Sequence, residues 1–491
     1  MALTIRRRIR GNILGSVDIS LLEDKVIAHR FFQRLRRIRQ TAFLSYVFPG
    51  ATHTRFEHSL GVMHQADLAW HKMRDNQSRL REASRKDPHF SQNEISGTYQ
   101  KHEAKQTPIQ ISGLLSPTFE LIDKIFSSDY TLQCLRLAAL CHDLGHPPFS
   151  HGGERFFMPS LKQVLEGNSY LPPYLKSYLE QEIQKQESSY PKKTYARHEI
   201  FTVLLIDKVL QDIYEKNPEI SLKPSAQDLA SIIIPSIEPQ ADSELISLGV
   251  HQICHELLSG DIDIDRMDYL RRDSQECGVT YGLFDSDRIL NSLAIYFKPE
   301  DKRLHLALDG SGLAAYENYL LARQTMYAQL YFHKTSVACE AMLQRIARLL
   351  KGWTLPANVH EYVAVDEFSI RDRLLTAGQV VFHKAEEFKS FQELVDDLLL
   401  NRKLWKRAFE HRSSHPGPHL ELEQAKTSLS EKGSIYEEIL SKSVRGSSGG
   451  NLQLIKKSEQ ELPFVETLHT QLQTDDRHPS LFISSLYIPR P

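Results

Sequence analysis

Between Thr131 and Leu144 the chain sets Leu132, Leu135, Ala138, Ala139 and Leu140 so that a helix there is apolar on most of its sides. A helix of that kind belongs at the centre of a fold, with other helices packed around it. Gly145 can cap it, and Pro147-Pro148 prevents its continuation. The chain therefore reads as mainly helical, and at the end of its most buried helix stands the pair His142-Asp143.

Other segments fit this class. The spacing of Phe56, Leu60, Met63 and Leu68 predicts a helix over 56–74, and further helices read at about 197–214, 243–259 and 264–273. Two short strands at 293–297 and 303–307, separated by Lys298-Pro299-Glu300-Asp301, predict a small β-hairpin, followed by one long helix over 313–350. We expect a core over 1–350 with a polar insertion at 75–120, a helical accessory region over 351–445, and a flexible link and tail over 446–491. The tail begins with the Ser447-Ser448-Gly449-Gly450 run.

Composition narrows the setting. Of 491 residues, 41% are hydrophobic and 25% charged, which is ordinary for a globular protein. No apolar run approaches the roughly 20 residues of a membrane span. The five cysteines form no CxxC pair and an odd number cannot all be bridged, so a reduced, cytoplasmic setting is expected. Net charge is only -2, yet the first forty residues carry nine arginines, Arg6, Arg7, Arg8, Arg10, Arg30, Arg34, Arg36, Arg37 and Arg39. That cluster suits phosphates, and single-stranded nucleic acid is an alternative partner for it.

Four segments supply metal-ligand types: His53 to Gly61, His142-Asp143, the loop Gly145 to His151, and Asp261 to Asp273. Mixed imidazole and carboxylate donors suit a hydrolytic divalent ion, which lowers the pKa of bound water. His146 and His151, in the loop that follows the pair, have the near-neutral intrinsic pKa that proton transfer needs. The plainer alternative is a buried His-Asp pair that only satisfies itself. Asp261, Asp263 and Asp265 mimic the start of a calcium loop, but Arg266 and Arg272 stand where that loop needs glycine and glutamate. Asp261, Asp263 and Asp268 read as capping or structural carboxylates.

The ordered set Phe32 to Gln40, Tyr46 to Ala51, His53-Thr54-Arg55-Phe56-Glu57-His58-Ser59-Leu60-Gly61, His142-Asp143-Leu144-Gly145-His146 with Pro148 to His151, Ile264 to Tyr269 with Arg272-Asp273, and Tyr331 to Lys334 resembles the HD-domain deoxynucleotide triphosphohydrolases. The similarity covers roughly residues 5–350. It implies a metal held by His58, His142, Asp143 and Asp265, with His151, oriented by Glu154, as catalytic acid. His146 and His198 would line the α-phosphate, and Arg55, Arg266, Tyr269 and Arg323 would bind the triphosphate. Gln40 and Asp273 would bind the sugar 3′-hydroxyl, while Tyr331 would exclude a ribose.

The resemblance further implies a divalent cofactor (Mn, Fe, Mg or Co), with room for a second ion carried by the substrate phosphates. A dNTP substrate and a homo-oligomer (dimer, tetramer or hexamer) are expected as partners, and no membrane. The reaction it implies is dNTP hydrolysis to deoxynucleoside and inorganic triphosphate. Another HD phosphohydrolase activity, on a monophosphate or a signalling nucleotide, and a nucleotide-regulated nucleic-acid binder are the competing readings. The chain departs from the animal enzymes at Arg8 to Asn12 and at Leu308, where their activator site would lie.

Overall fold

The computed structural model describes residues 5–13, 15–85, 109–110, 119–187, 195–298, 303–413, 420–432, 434–443, 453–457, 463–467 and 481–489. The apolar segment at 131–144 forms the helix Asp129–Cys141, begun by Ser128, whose side chain accepts from the Thr131 N–H, and buried at every residue from Thr131 onward. Its one charged residue inside that stretch, Arg136, is matched by Glu23 at 2.7 Å and by Asp67 at 2.7 Å. Pairing of this kind lets a guanidinium sit in an apolar layer without an uncompensated charge.

The long helix Arg55–Arg85 lies against this central helix, and the helix Ile264–Glu276 packs against the long helix. The helix His198–Lys216 lies near the turn that follows Cys141. Together they enclose an extended hydrophobic core that includes Trp70, Leu135, Phe201 and Met267. An N-terminal hairpin, Ile5–Gly11 with Gly15–Ser20, carries Arg6, Arg8 and Arg10 on exposed positions.

Two helices differ from expectation. The helix anticipated over 243–259 is split into Glu244–Ser247 and His251–Ser259, because Gly249 adopts φ +65° and the Val250 N–H closes back on the Leu245 carbonyl. The single long helix anticipated over 313–350 is Leu313–Met326, a π-helical turn Tyr327–Tyr331, and Lys334–Leu349. The second helix is restarted by His333, whose Nδ1 accepts from the Thr335 N–H at 3.2 Å.

The C-terminal part is not purely helical. Alongside the helices Ile370–Val381, Ala385–Leu399 and Leu420–Glu431 it holds an antiparallel sheet in which Leu481–Ile488 lies between Lys406–Ser413 and Glu437–Ser443. The segment expected as a loose link and tail thus supplies a central strand. Two further tail strands, Gln453–Lys457 and Pro463–Thr467, extend the sheet of the expected hairpin, Leu293–Lys298 with Arg303–Asp309. Pairing between strands so far apart in sequence leaves no local periodic signal. Of the expected insertion, 75–85 continues the long helix and Ile109–Gln110 is a short strand; 86–108, 111–118 and the Ser447–Gly450 run lie outside the described residues.

Among the described residues no helix is long and apolar enough to cross a membrane. All five cysteines are free thiols.

Candidate active site

The chain reverses sharply after the central helix, and three side chains hold the turn. The Thr202 hydroxyl donates to the His142 carbonyl at 3.0 Å and accepts from the Gly145 N–H at 2.9 Å. Tyr362 donates to the Gly145 carbonyl at 2.6 Å, and the fully buried Arg34 donates to the His146 carbonyl at 2.9 Å. Beyond the two prolines, Phe149 and Ser150 both adopt left-handed backbone, with φ 64° and 49°. Non-glycine residues pay about 1 kcal/mol or more for that geometry, which persists where the surroundings enforce it. Glu367 accepts from the Phe149 N–H at 3.0 Å, and Phe149 stacks on Phe43.

This turn brings the two ring nitrogens and two carboxylates together. His58 Nε2 lies 3.0 Å from Asp265 Oδ1 and 3.5 Å from Asp143 Oδ2; His142 Nε2 lies 3.5 Å from Asp143 Oδ1 and 3.6 Å from Asp265 Oδ1. His142 donates from Nδ1 to the Ala139 carbonyl at 2.8 Å, and its buried Nε2, which makes no hydrogen bond, faces the two carboxylates. His58 is fixed through Nδ1 by Asp268 at 2.9 Å. Burial opposes protonation of His58, but hydrogen bonds to Asp265 and Asp268 outweigh it and push the imidazole up to about 10. Such proton affinity marks a place that wants positive charge, and His58, His142 and Asp265 have the donor types and mutual spacing to hold a cation.

Asp143 also faces a second group. Its Oδ1 lies 3.4 Å from His146 Nε2 and 3.9 Å from His198 Nε2, and the two imidazoles stack with centroids 3.8 Å apart. Burial opposes ionisation of Asp143, yet Arg55, in contact with it, and the flanking imidazoles hold the carboxyl well below its ordinary range. His146 is pushed well below its usual value by burial, by Arg55 and by the neighbouring rings. His198 resists burial because Glu199 and Glu154 lie beside it, and it rises to about 9. One carboxylate, Glu154, meets His198 Nδ1 at 3.0 Å and His151 Nδ1 at 3.2 Å. His151 itself is exposed over 78% of its side chain, at the open side of the group.

His142, Asp143, His146, His151, His198 and Asp265 border a cavity of about 660 Å³ that is also lined by Gln40, Arg55, Tyr269, Asp273 and Tyr331. The volume suits a ligand of nucleotide size. The π-helical turn swings Tyr331 so that its hydroxyl donates to Asp273 Oδ2 at 2.6 Å. Arg266 and Arg323 do not border the cavity. Arg266 is drawn instead to Asp263 at 3.1 Å and to the Gly260 carbonyl at 2.8 Å, and Arg323 lies over the Tyr327 ring. Asp263 is the N-cap of its helix, as expected of a structural carboxylate.

Sequence reasoning missed several contributors. Asp268 was read as structural, yet it orients His58. Arg34, Thr202, Tyr362 and Glu367 hold the turn from distant positions, and Arg155 and Glu340 line the cavity. Only Asp268, spaced three residues from Asp265 on one helical face, left a sequence signal.

Comparison with known proteins adds an independent line. A family model described as an HD associated region matches residues 284–439. Bacillus subtilis YwfO is 26% identical over 420 residues, spanning 84% of this chain and 72% of that protein. A Gallus gallus protein named deoxynucleoside triphosphate triphosphohydrolase SAMHD1 is 24% identical over 336 residues, 67% of this chain but only 43% of its own length. The chain also spans about half, 48%, of a matching Methanocaldococcus jannaschii protein. A solved Bacteroides thetaiotaomicron protein titled phosphohydrolase shares the fold with a TM-score of 0.59 at 22% identity, covering 99% of this chain and 100% of that one. An Aquifex aeolicus structure gives a TM-score of 0.57 at 23% identity, over 99% and 97%.

Proposed function

Because the chain belongs to the HD-domain family, we propose that it is a metal-dependent hydrolase that cleaves deoxynucleoside triphosphates to deoxynucleoside and inorganic triphosphate. The observation that carries this reading is that Asp143 joins two side-chain groups, a cation-binding set and a histidine set, at the wall of a nucleotide-sized cavity. His58, His142, Asp143 and Asp265 would hold a divalent ion of the Mn, Fe, Mg or Co kind. Bound there, it supplies Lewis acidity and a water of lowered pKa.

The chain's own groups do the rest. His151, held by Glu154, stands at the open side of the site where it can give a proton to the leaving 5′-oxygen. His146 and His198 would face the α-phosphate. Arg55 and Tyr269 border the cavity and would take part of the triphosphate; Arg266 and Arg323 join them only by exchanging their present partners. Asp273 would accept from the sugar 3′-hydroxyl, and the Gln40 amide would donate to its oxygen. The Tyr331 ring would leave a ribose 2′-hydroxyl crowded and unsatisfied. Assembly of several copies is part of this reading and is tested by light scattering with and without nucleotide.

The deciding experiment is product analysis with each dNTP and rNTP in Mn, Mg, Fe or Co. Deoxynucleoside plus triphosphate is the expected pair. Monophosphate or pyrophosphate as the sole products would move the attack away from the α-phosphate and overturn the reading.

A further inference from the structure

We infer that His53, which does not border the cavity, is the positioning residue through which the chain selects its sugar; this rests on the functional reading above. His53 Nε2 meets Asp273 Oδ1 at 2.6 Å, with both side chains almost fully buried. The other oxygen of the same carboxylate takes the Tyr331 hydroxyl at 2.6 Å. His53 is also tied to Gln40, whose N–H donates to the His53 carbonyl at 3.1 Å. One residue therefore braces both groups assigned to the 3′-hydroxyl, by its side chain on Asp273 and by its main chain on Gln40.

The chemistry follows from which atoms are left over. His53 Nδ1 is buried and meets no partner, whereas Nε2 points at Asp273 and is the nitrogen that donates to it. With one donor on each oxygen, Asp273 is a fixed acceptor-only carboxylate whose remaining lone pairs open on the cavity. A hydroxyl donor from a sugar is what such a group recognises. Gln40 borders the same cavity, and its side-chain amide can donate to the oxygen of the hydroxyl whose proton Asp273 accepts.

The same carboxylate holds Tyr331. Its proton is spent on Asp273 and cannot be donated to a 2′-hydroxyl, and its ring is kept where a ribose would press. Releasing Asp273 from His53 frees the carboxylate to turn and Tyr331 with it. His53 therefore governs two discriminations at once: the demand for a 3′-hydroxyl and the rejection of a 2′-hydroxyl.

The test compares wild type, His53→Leu and His53→Gln on the dNTP hydrolysed fastest, its ribonucleotide and its 2′,3′-dideoxy counterpart. Leucine fills the space without a donor, while the glutamine amide places a donor near the lost Nε2. We expect H53L to raise KM for the dNTP by about 10- to 100-fold, the worth of one hydrogen bond to a charged group, with kcat little changed. Its KM for the dideoxy substrate should stay within about threefold of wild type, the scatter expected where no contact was lost. The preference for deoxy over ribo substrate should narrow, and H53Q should restore both. Equal losses on the dNTP and its dideoxy counterpart would make His53 merely structural and overturn the inference while leaving the functional reading intact. Wild-type protein inactive on every dNTP would remove that reading and this inference together. If H53L does not fold, His53→Met, which also lacks a donor, takes its place in the same comparison with H53Q, and the same outcomes decide.

Discussion

Asp268 meets Nδ1 of His58 through Oδ2 at 2.9 Å, and Arg272 grips the same carboxylate with Nε on that oxygen at 2.8 Å and Nη2 on Oδ1 at 2.9 Å. The guanidinium keeps Asp268 ionised and still, so His58 carries its proton on Nδ1 and turns Nε2 toward Asp265. Replacing Asp268 by Asn keeps the volume but removes the charge that fixes the tautomer. We expect D268N to weaken Mn(II) binding by about 10- to 100-fold, measured by competition with a chelating fluorophore. Unchanged affinity would exclude Asp268 from supporting the cation site.

His151 and the cation set should separate cleanly. Its side chain is exposed over 78%, so His151→Ala should melt almost as wild type does. Turnover should nonetheless fall by about 10²- to 10⁴-fold, the range for losing a general acid, with Mn(II) affinity retained. His142→Ala should lose both. A His151 variant of normal turnover would disqualify it as the proton donor.

The Gly145 position tests packing around the turn. A Cβ there would stand 2.3 Å from the His198 carbonyl oxygen and 2.3 Å from the Thr202 nitrogen, both backbone atoms that cannot step aside. Gly145→Ala should therefore destabilise by about 1–3 kcal/mol or more and pull His198 away from His146. A fall in melting temperature should accompany loss of turnover; a variant that melts like wild type would mean that the two helices are not held this close.

Glu367 makes stability depend on pH in an unusual direction. Burial raises its carboxyl to about 7, although the Phe149 N–H and Arg39 favour the charged form. A carboxyl whose folded pKa lies above its unfolded value contributes stability that is complete below about pH 4.5 and is lost as pH rises through about 7. Glu367→Gln can still accept from Phe149 but does not titrate. Relative to wild type, E367Q should gain stability between those two pH values, by at most about 3 kcal/mol, read as a widening gap in melting temperature from pH 5 to 8. A gap independent of pH would show that the carboxylate stays ionised in the folded chain.

The chain announced its centre and the motifs of its candidate site, because both are written locally. An apolar helix has a period, and a turn built from Gly145 and Pro147-Pro148 has a composition, so the burial of 131–141 and the break after Cys141 could be read directly. His58, His142, Asp143 and Asp265 were legible as a set only because their motifs stand in a familiar order. Their distances were not, since 84 residues separate His58 from His142 and a contact across such a gap depends on how helices pack.

Sequence by itself determined the helical class and the donor types that a cation and a phosphate would meet. Tertiary structure alone decided which donors face each other. It paired Arg266 with Asp263, drew a tail strand into the middle of a sheet, and swung Tyr331 onto Asp273 through a π-helical turn. The physical reason is common to all three. Each charge, strand edge or hydroxyl takes the nearest partner that satisfies it in the folded chain, and nearness in space is not encoded in any local run of residues.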